Sequence, residues 1–168
     1  MQAIATFVML CSAILLASLV PVVPLHAQDQ SSSATCTFND GREVSVRYSS
    51  GHASERLRSG KMWTPGDAPM FLFTQAPLKA GDLTLPVGAY SLYVIPQKNK
   101  WTLIVNKGVD PAAKYDEKQD AGRVEMEVGE LGEAVESPRL AFAHAGSKQC
   151  NLRINYEKSG AWGEFREE

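Results

Sequence analysis

The sequence predicts an all-β fold: an antiparallel β-sandwich, with a jelly-roll-like, partly open barrel as the alternative and short helical turns in the loops. Three observations predict it. Beyond residue 34 the chain falls into short runs in which apolar and polar side chains alternate with a period of two, the mark of half-buried strands. Gly, Pro, Asn and Asp punctuate those runs at turn spacing. No stretch beyond the first 27 residues sustains a helical period.

The elements follow in order. Thr35-Cys36-Thr37-Phe38 and Glu43-Val44-Ser45-Val46-Arg47-Tyr48 flank Asn39-Asp40-Gly41, a strong hairpin signal. Residues 49–61 carry little apolar content and read as a surface loop. Met62 to Pro69 holds two prolines within five positions, Pro65 and Pro69, which prevents a regular ladder. Met70 to Thr74 and Asp82 to Leu85 are short strands separated by Lys79-Ala80-Gly81. Ala89 to Ile95 and Trp101 to Asn106 are the clearest strands: aromatic and β-branched, bounded by turn residues, and joined by a short polar loop. Tyr90, Leu92 and Val94 share one face and Trp101, Leu103 and Val105 one face of the partner, so both face the core. Tyr93 points the other way and is the better candidate for an exposed contact. Residues 107–122 read as an irregular excursion with a helical turn near Pro111 to Tyr115. Arg123 to Val128, Arg139 to His144 and Gln149 to Tyr156 close the domain as three strands, with Trp162 to Phe165 as a final edge strand.

The chain has 168 residues, enough for one ordinary domain, and 44% hydrophobic with 21% charged residues is a globular balance. Net charge is −2 from 17 basic and 19 acidic residues mixed along the chain, with no basic stripe of the kind nucleic acid requires. Residues 1–27 contain no Asp, Glu, Lys or Arg, are apolar over residues 3–23, and end Leu25-His26-Ala27 before a polar stretch. They read as a secretory signal peptide cleaved after Ala27. The alternative is an uncleaved membrane anchor over residues 3–23. Residues 28–34 read as a flexible lead and residues 35–168 as a single β domain. The expected location is therefore exported, periplasmic or extracellular. Cys36 and Cys150, the two cysteines outside the leader, are expected to form a disulfide. The alternative is two separate buried thiols. A bond would need Cα atoms about 4.4–6.8 Å apart, placing the first strand beside, or facing, the Gln149–Tyr156 strand.

Several blocks occur in order: Gly60-Lys61-Met62-Trp63, Leu85-Pro86-Val87-Gly88-Ala89-Tyr90-Ser91-Leu92, Trp101 to Lys107, Tyr115-Asp116, and Asp120 to Val124. Together they resemble the exported bacterial family catalogued as domain of unknown function 2911. The resemblance covers most of residues 36–157 and implies compartment and a β-rich domain, not chemistry. Family members typically carry a basic residue just after the Trp and a polar run ending in Glu. This chain has Thr64-Pro65-Gly66-Asp67-Ala68-Pro69 there, so any such Arg/Glu pair is lost or replaced by Asp67. The segment between Tyr48 and Lys61 is also shorter than is usual in the family.

Side chains that could carry chemistry are few. His52 and His144 have no metal-ligand spacing, and no metal or cofactor is expected. There is no nucleophile elbow, phosphate loop or CxxC, and Ser91 lies inside a strand. Asp67, Asp82, Asp116 and Asp120 sit in loops or at strand starts, where turn chemistry is the ordinary explanation. Trp63, Tyr90, Tyr93 and Trp101 form either an aromatic platform for sugar or peptide, or simply core. The expected binding residues are Lys61, Trp63, Asp67, Tyr93 and Asp116. Two functions compete. One is a non-catalytic binding or structural module of the cell envelope, meeting a small ligand, a glycan or an envelope protein. The other is a carboxylate-dependent, hydrolase-like enzyme with its site near Trp63 and Asp67.

Overall fold

A computed structural model describes residues 31–51 and 56–168. The leader, the first part of the lead and His52 lie outside the described residues. The fold is all-β, and every strand pairing is antiparallel. The described residues form β1 (Ser31–Thr37), β2 (Glu43–Ser49), β3 (Met70–Thr74), β4 (Leu78–Ala80), β5 (Leu83–Leu85), β6 (Gly88–Pro96), β7 (Trp101–Asn106), β8 (Asp120–Gly146) and β9 (Gln149–Glu167). Short 3-10 turns lie at Pro65–Asp67 and Glu117–Gln119.

The strands make one sheet in the order β1-β2-β3-β6-β7-β8-β9-β4-β5, not closed into a barrel. Two facing layers arise because this sheet folds back on itself. The fold-back runs through β8 and β9, which are 27 and 19 residues long. β8 pairs with β7 over its first residues and with β9 over the rest. Register shifts near residues 130–139 of β8, and Glu157 of β9 at φ 52, bend the two-stranded ribbon. The bend brings the ends of β9 together: Glu167 N donates to Lys148 O at 2.8 Å.

The three closing strands expected separately are thus two continuous strands, and Trp162 to Phe165 is the second arm of β9. β1 also begins earlier than the pattern suggests. Ser31 to Ala34, expected as lead, pair with residues 46–49 of β2. Backbone pairing there outweighs the polarity of three consecutive serines.

The fold-back carries β1 across to β9. Cys36 and Cys150 are bonded, with Cα atoms 6.3 Å apart, so β1 is tied to β9 without pairing with it, and it lies alongside β8. Asn39 N in the first turn donates to Ser147 O at 3.1 Å, and Arg42 pairs with the buried Glu167 carboxylate. The core lies between the layers. Val44, Val46, Leu72, Leu92, Leu103 and Val105 from the first layer meet Leu152, Ile154 and Phe165 from the second, all fully buried. Each such side chain stabilises the fold by about 1.5–3 kcal/mol relative to leaving it in water.

Candidate functional site

Trp63 is held where it is by β6. Its N–H donates to Val94 O at 2.8 Å and its carbonyl accepts from Val94 N at 3.1 Å, an isolated bridge beyond the end of β3. Its ring stacks on Tyr156 at 5.2 Å and meets Trp101 edge-on at 6.5 Å. Trp63 is therefore largely core, 5% exposed. After it the chain turns sharply. Pro65 is buried and starts the 3-10 turn, then Gly66 and Asp67 both take φ 59. Gly66 has a second requirement, because a Cβ there would collide with Ser49 Oγ. Asp67 is a non-glycine residue in left-handed backbone, which Asp tolerates better than most. The turn presents its exposed side chain at a surface cleft.

The facing wall is the excursion that follows β7. It is tied at its base, where Lys107 N donates to Gln119 O at 2.9 Å. Asp110 organises its tip by accepting from Ala112 N at 2.9 Å, an Asx turn. The excursion lies over the outer face of β6 and β7. Tyr115 packs edge-on against Tyr93 at 4.9 Å. Tyr93 is accordingly 8% exposed, and Ile104 and Asn106 are buried as well. Tyr93, expected to point into solvent, points into this covered layer.

Beneath Tyr115 a polar network anchors the wall. Asn106 Nδ2 donates to Asp116 O and to Asp120 Oδ1, each at 2.8 Å, and Asn106 Oδ1 accepts from Gly108 N at 2.8 Å. Tyr115 Oη donates to Asp120 Oδ2 at 2.8 Å. Arg123 donates to the same oxygen at 3.2 Å and to Glu117 at 2.7 Å. Burial, helped by the neighbouring Asp120 carboxylate, pushes the Tyr115 phenol up to about 12. The network fixes the excursion on the sheet as a preformed wall.

Between the two walls is a cleft of about 320 Å³, lined among others by Trp63, Asp67, Tyr93, Lys114 and Tyr115. Of the residues expected at a site, Trp63, Asp67 and Tyr93 thus converge. Lys61 does not line the cleft; it is exposed in the preceding turn, its N–H on Arg58 O. Asp116 does not line it either. Its carboxylate accepts from Lys118 N at 3.0 Å and from Gln119 Nε2 at 3.3 Å, capping the short 3-10 turn. Lys114 and Tyr115 were missed as lining residues. For Tyr115 the signal was present: β6 and β7 are apolar on both faces at Tyr93, Ile95 and Ile104, which calls for a cover on the outer side. Lys114 gave no signal of its own. Among the described residues no group of three His, Cys, Asp or Glu side chains is placed to hold a metal ion, and no helix is long and apolar enough to cross a membrane.

A family model described as a protein of unknown function, DUF2911, matches residues 29–162. No curated protein and no solved structure gives a significant match.

Proposed function

The chain belongs to the DUF2911 family of proteins of unknown function, and from that premise we propose that it is a non-catalytic binding module of the cell envelope whose cleft between Trp63 and Tyr115 takes a short peptide segment. The observation that carries the reading is the cleft itself. Its lining is mixed: Trp63, Tyr93 and Tyr115 are joined by apolar Met62 and Pro111, while one carboxylate, Asp67, and one ammonium, Lys114, stand on opposite walls. A cleft of mixed lining, with aromatic and apolar side chains and a few placed polar and charged groups to fix orientation, can take a small ligand. One charge of each sign suits a peptide bearing both better than an uncharged or wholly anionic ligand.

A hydrolase would need a second carboxylate working with Asp67. What supports binding instead is that Asp116 is turned toward Lys118 and Gln119, and that both oxygens of Asp120 are engaged by Asn106, Tyr115 and Arg123. The envelope location rests on the leader-like residues 1–27 and on the Cys36–Cys150 bond, which suits an oxidising compartment. Amino-terminal sequencing of the native protein is expected to begin at Gln28.

The test is a short-peptide library screened against the purified protein by calorimetry. Asp67→Asn and Lys114→Ala are each expected to weaken a hit by about fivefold or more, the scale of losing one placed charge contact. Ala113→Arg is expected to block it. Peptide binding that survives all three changes, or peptide cleavage lost on Asp67→Asn, would remove the reading.

A further inference from the structure

On the outer face of the sheet, away from the Trp63 cleft, the first residues of β8, the second arm of β9 and β4 enclose a groove of about 550 Å³. Alternation places its side chains. Along β9 Ala161, Gly163 and Phe165 face inward, so Trp162, Glu164 and Arg166 face out. Along β8 Val124 and Met126 face inward, so Glu125 and Glu127 face out. Lys79 of β4 stands opposite Arg166, and Glu127 stands opposite Trp162. Gly81 also lines the groove, and a Cβ there would meet only open space.

Trp162 differs from the other two tryptophans. Trp63 and Trp101 are core, while Trp162 is half-buried and lines the groove. It is also held in place. Its indole N–H donates to Glu127 Oε2 at 3.0 Å, and its far edge lies over Gly129, where a Cβ would come within 3.2 Å of the ring. A tryptophan fixed by a hydrogen bond on one edge and by a side-chain-free strand on the other is a rigid plate, oriented before any ligand arrives.

Around that plate stand both kinds of hydrogen-bonding group. Glu127 and Glu164 supply acceptors, Lys79 supplies donors, and Asn151 supplies both. This combination selects its ligand class. Three carboxylates repel an anion. Lys79 and Arg166 oppose a polycation. An apolar ligand would strip water from charged groups without replacing their hydrogen bonds. A neutral saccharide fits: its C–H face lies on the indole, and its hydroxyls, each donor and acceptor at once, satisfy the mixed rim. We propose that the Trp162 groove is a binding site for a neutral oligosaccharide, separate from the peptide cleft.

The experiment titrates the purified protein with neutral oligosaccharides of β-1,4-linked glucose, β-1,4-linked N-acetylglucosamine and α-1,4-linked glucose, followed by tryptophan fluorescence and calorimetry. At least one series is expected to bind saturably and to perturb the indole signal. Trp162→Ala is expected to weaken that binding by about tenfold or more, as loss of a central aromatic contact does. Trp162→Phe should retain part of it, Glu127→Gln should weaken it severalfold, and Asp67→Asn should leave it unchanged. If Trp162→Ala fails to fold, Trp162→Phe and Glu127→Gln decide the matter. No saturable response to any of the three series would overturn the proposal. So would undiminished binding by Trp162→Phe and Glu127→Gln together, or tighter binding of dextran sulfate or oligolysine than of any neutral sugar.

Discussion

Tyr115 does three things at once: it covers Tyr93, it lines the cleft, and it donates to Asp120. Its phenol is held up at about 12, first by burial and then by Asp120, whereas an unfolded chain releases that proton near the ordinary tyrosine value of about 10. The folded state therefore binds the proton more tightly, and the resulting stability is intact below pH about 10 and lost as pH rises toward 12. Denaturant midpoints measured across that window should fall with pH in the native chain and fall less steeply in Tyr115→Phe. At neutral pH the same variant should lose about 1 kcal/mol, the net worth of one hydrogen bond. An equally steep decline in the variant would assign the alkaline loss elsewhere. Asp67 gives the second prediction at this scale. Asn accepts left-handed backbone as well as Asp does, so Asp67→Asn should fold normally, while a β-branched Asp67→Val should lose about 1–3 kcal/mol in thermal unfolding. Asp67 could be singled out in the sequence because it is a loop carboxylate shortly after Trp63, in the segment where the resembled family carries its Arg/Glu pair. Nothing local announced that Lys114 would face it, because the two meet only when the excursion folds over β6 and β7.

At the level of elements, the strands with a strong two-residue pattern were legible, and their joins were not. Val44, Val46 and Tyr48 of β2, or Tyr90, Leu92 and Val94 of β6, each mark a buried face by alternation alone. The polar stretch between Val128 and Arg139 looked like a break between strands. It is instead the irregular bend of β8, where Gly129, Gly132 and several glutamates run along the outside of the ribbon while its backbone still pairs with β9. Periodicity reads side-chain burial, and an exposed bent ribbon has little to read. Glu157 sets the matching corner in β9 at φ 52. Glycine pays no steric cost there, so Glu157→Gly should be neutral or stabilising by up to about 1 kcal/mol. Glu157→Ile should be destabilising by about 1–3 kcal/mol. Chemical denaturation of the two variants checks the pair, and the reverse order would mean that the corner is set by side-chain packing.

For the whole molecule, the all-β class followed from the absence of any helical period and the density of turn residues. The cysteine pair added a long-range restraint, since a bond between Cys36 and Cys150 forces the first strand against one of the last. Alternation could not reveal that a single sheet supplies both layers, because a strand that leaves one layer and continues into the other keeps the same period. The bond closes a loop with a sequence separation of 114 residues, and the chain-entropy argument assigns such a loop about 4–5 kcal/mol. The double variant Cys36→Ser, Cys150→Ser is expected to lose about 2–5 kcal/mol in guanidinium unfolding, with Leu103→Ala costing a similar amount by opening a core cavity. A double variant as stable as the native chain would mean that Asn39–Ser147 and the core alone hold β1 against β9.

That crosslink also makes most of the polypeptide a covalent ring, and the exposed tip at Pro111 to Lys114 lies on its circumference. A protease that nicks the tip opens the ring without dividing the molecule. The clipped protein should migrate as one band in a non-reducing gel and as two fragments once thiol is added, so it can lose a wall of its cleft while remaining in one piece.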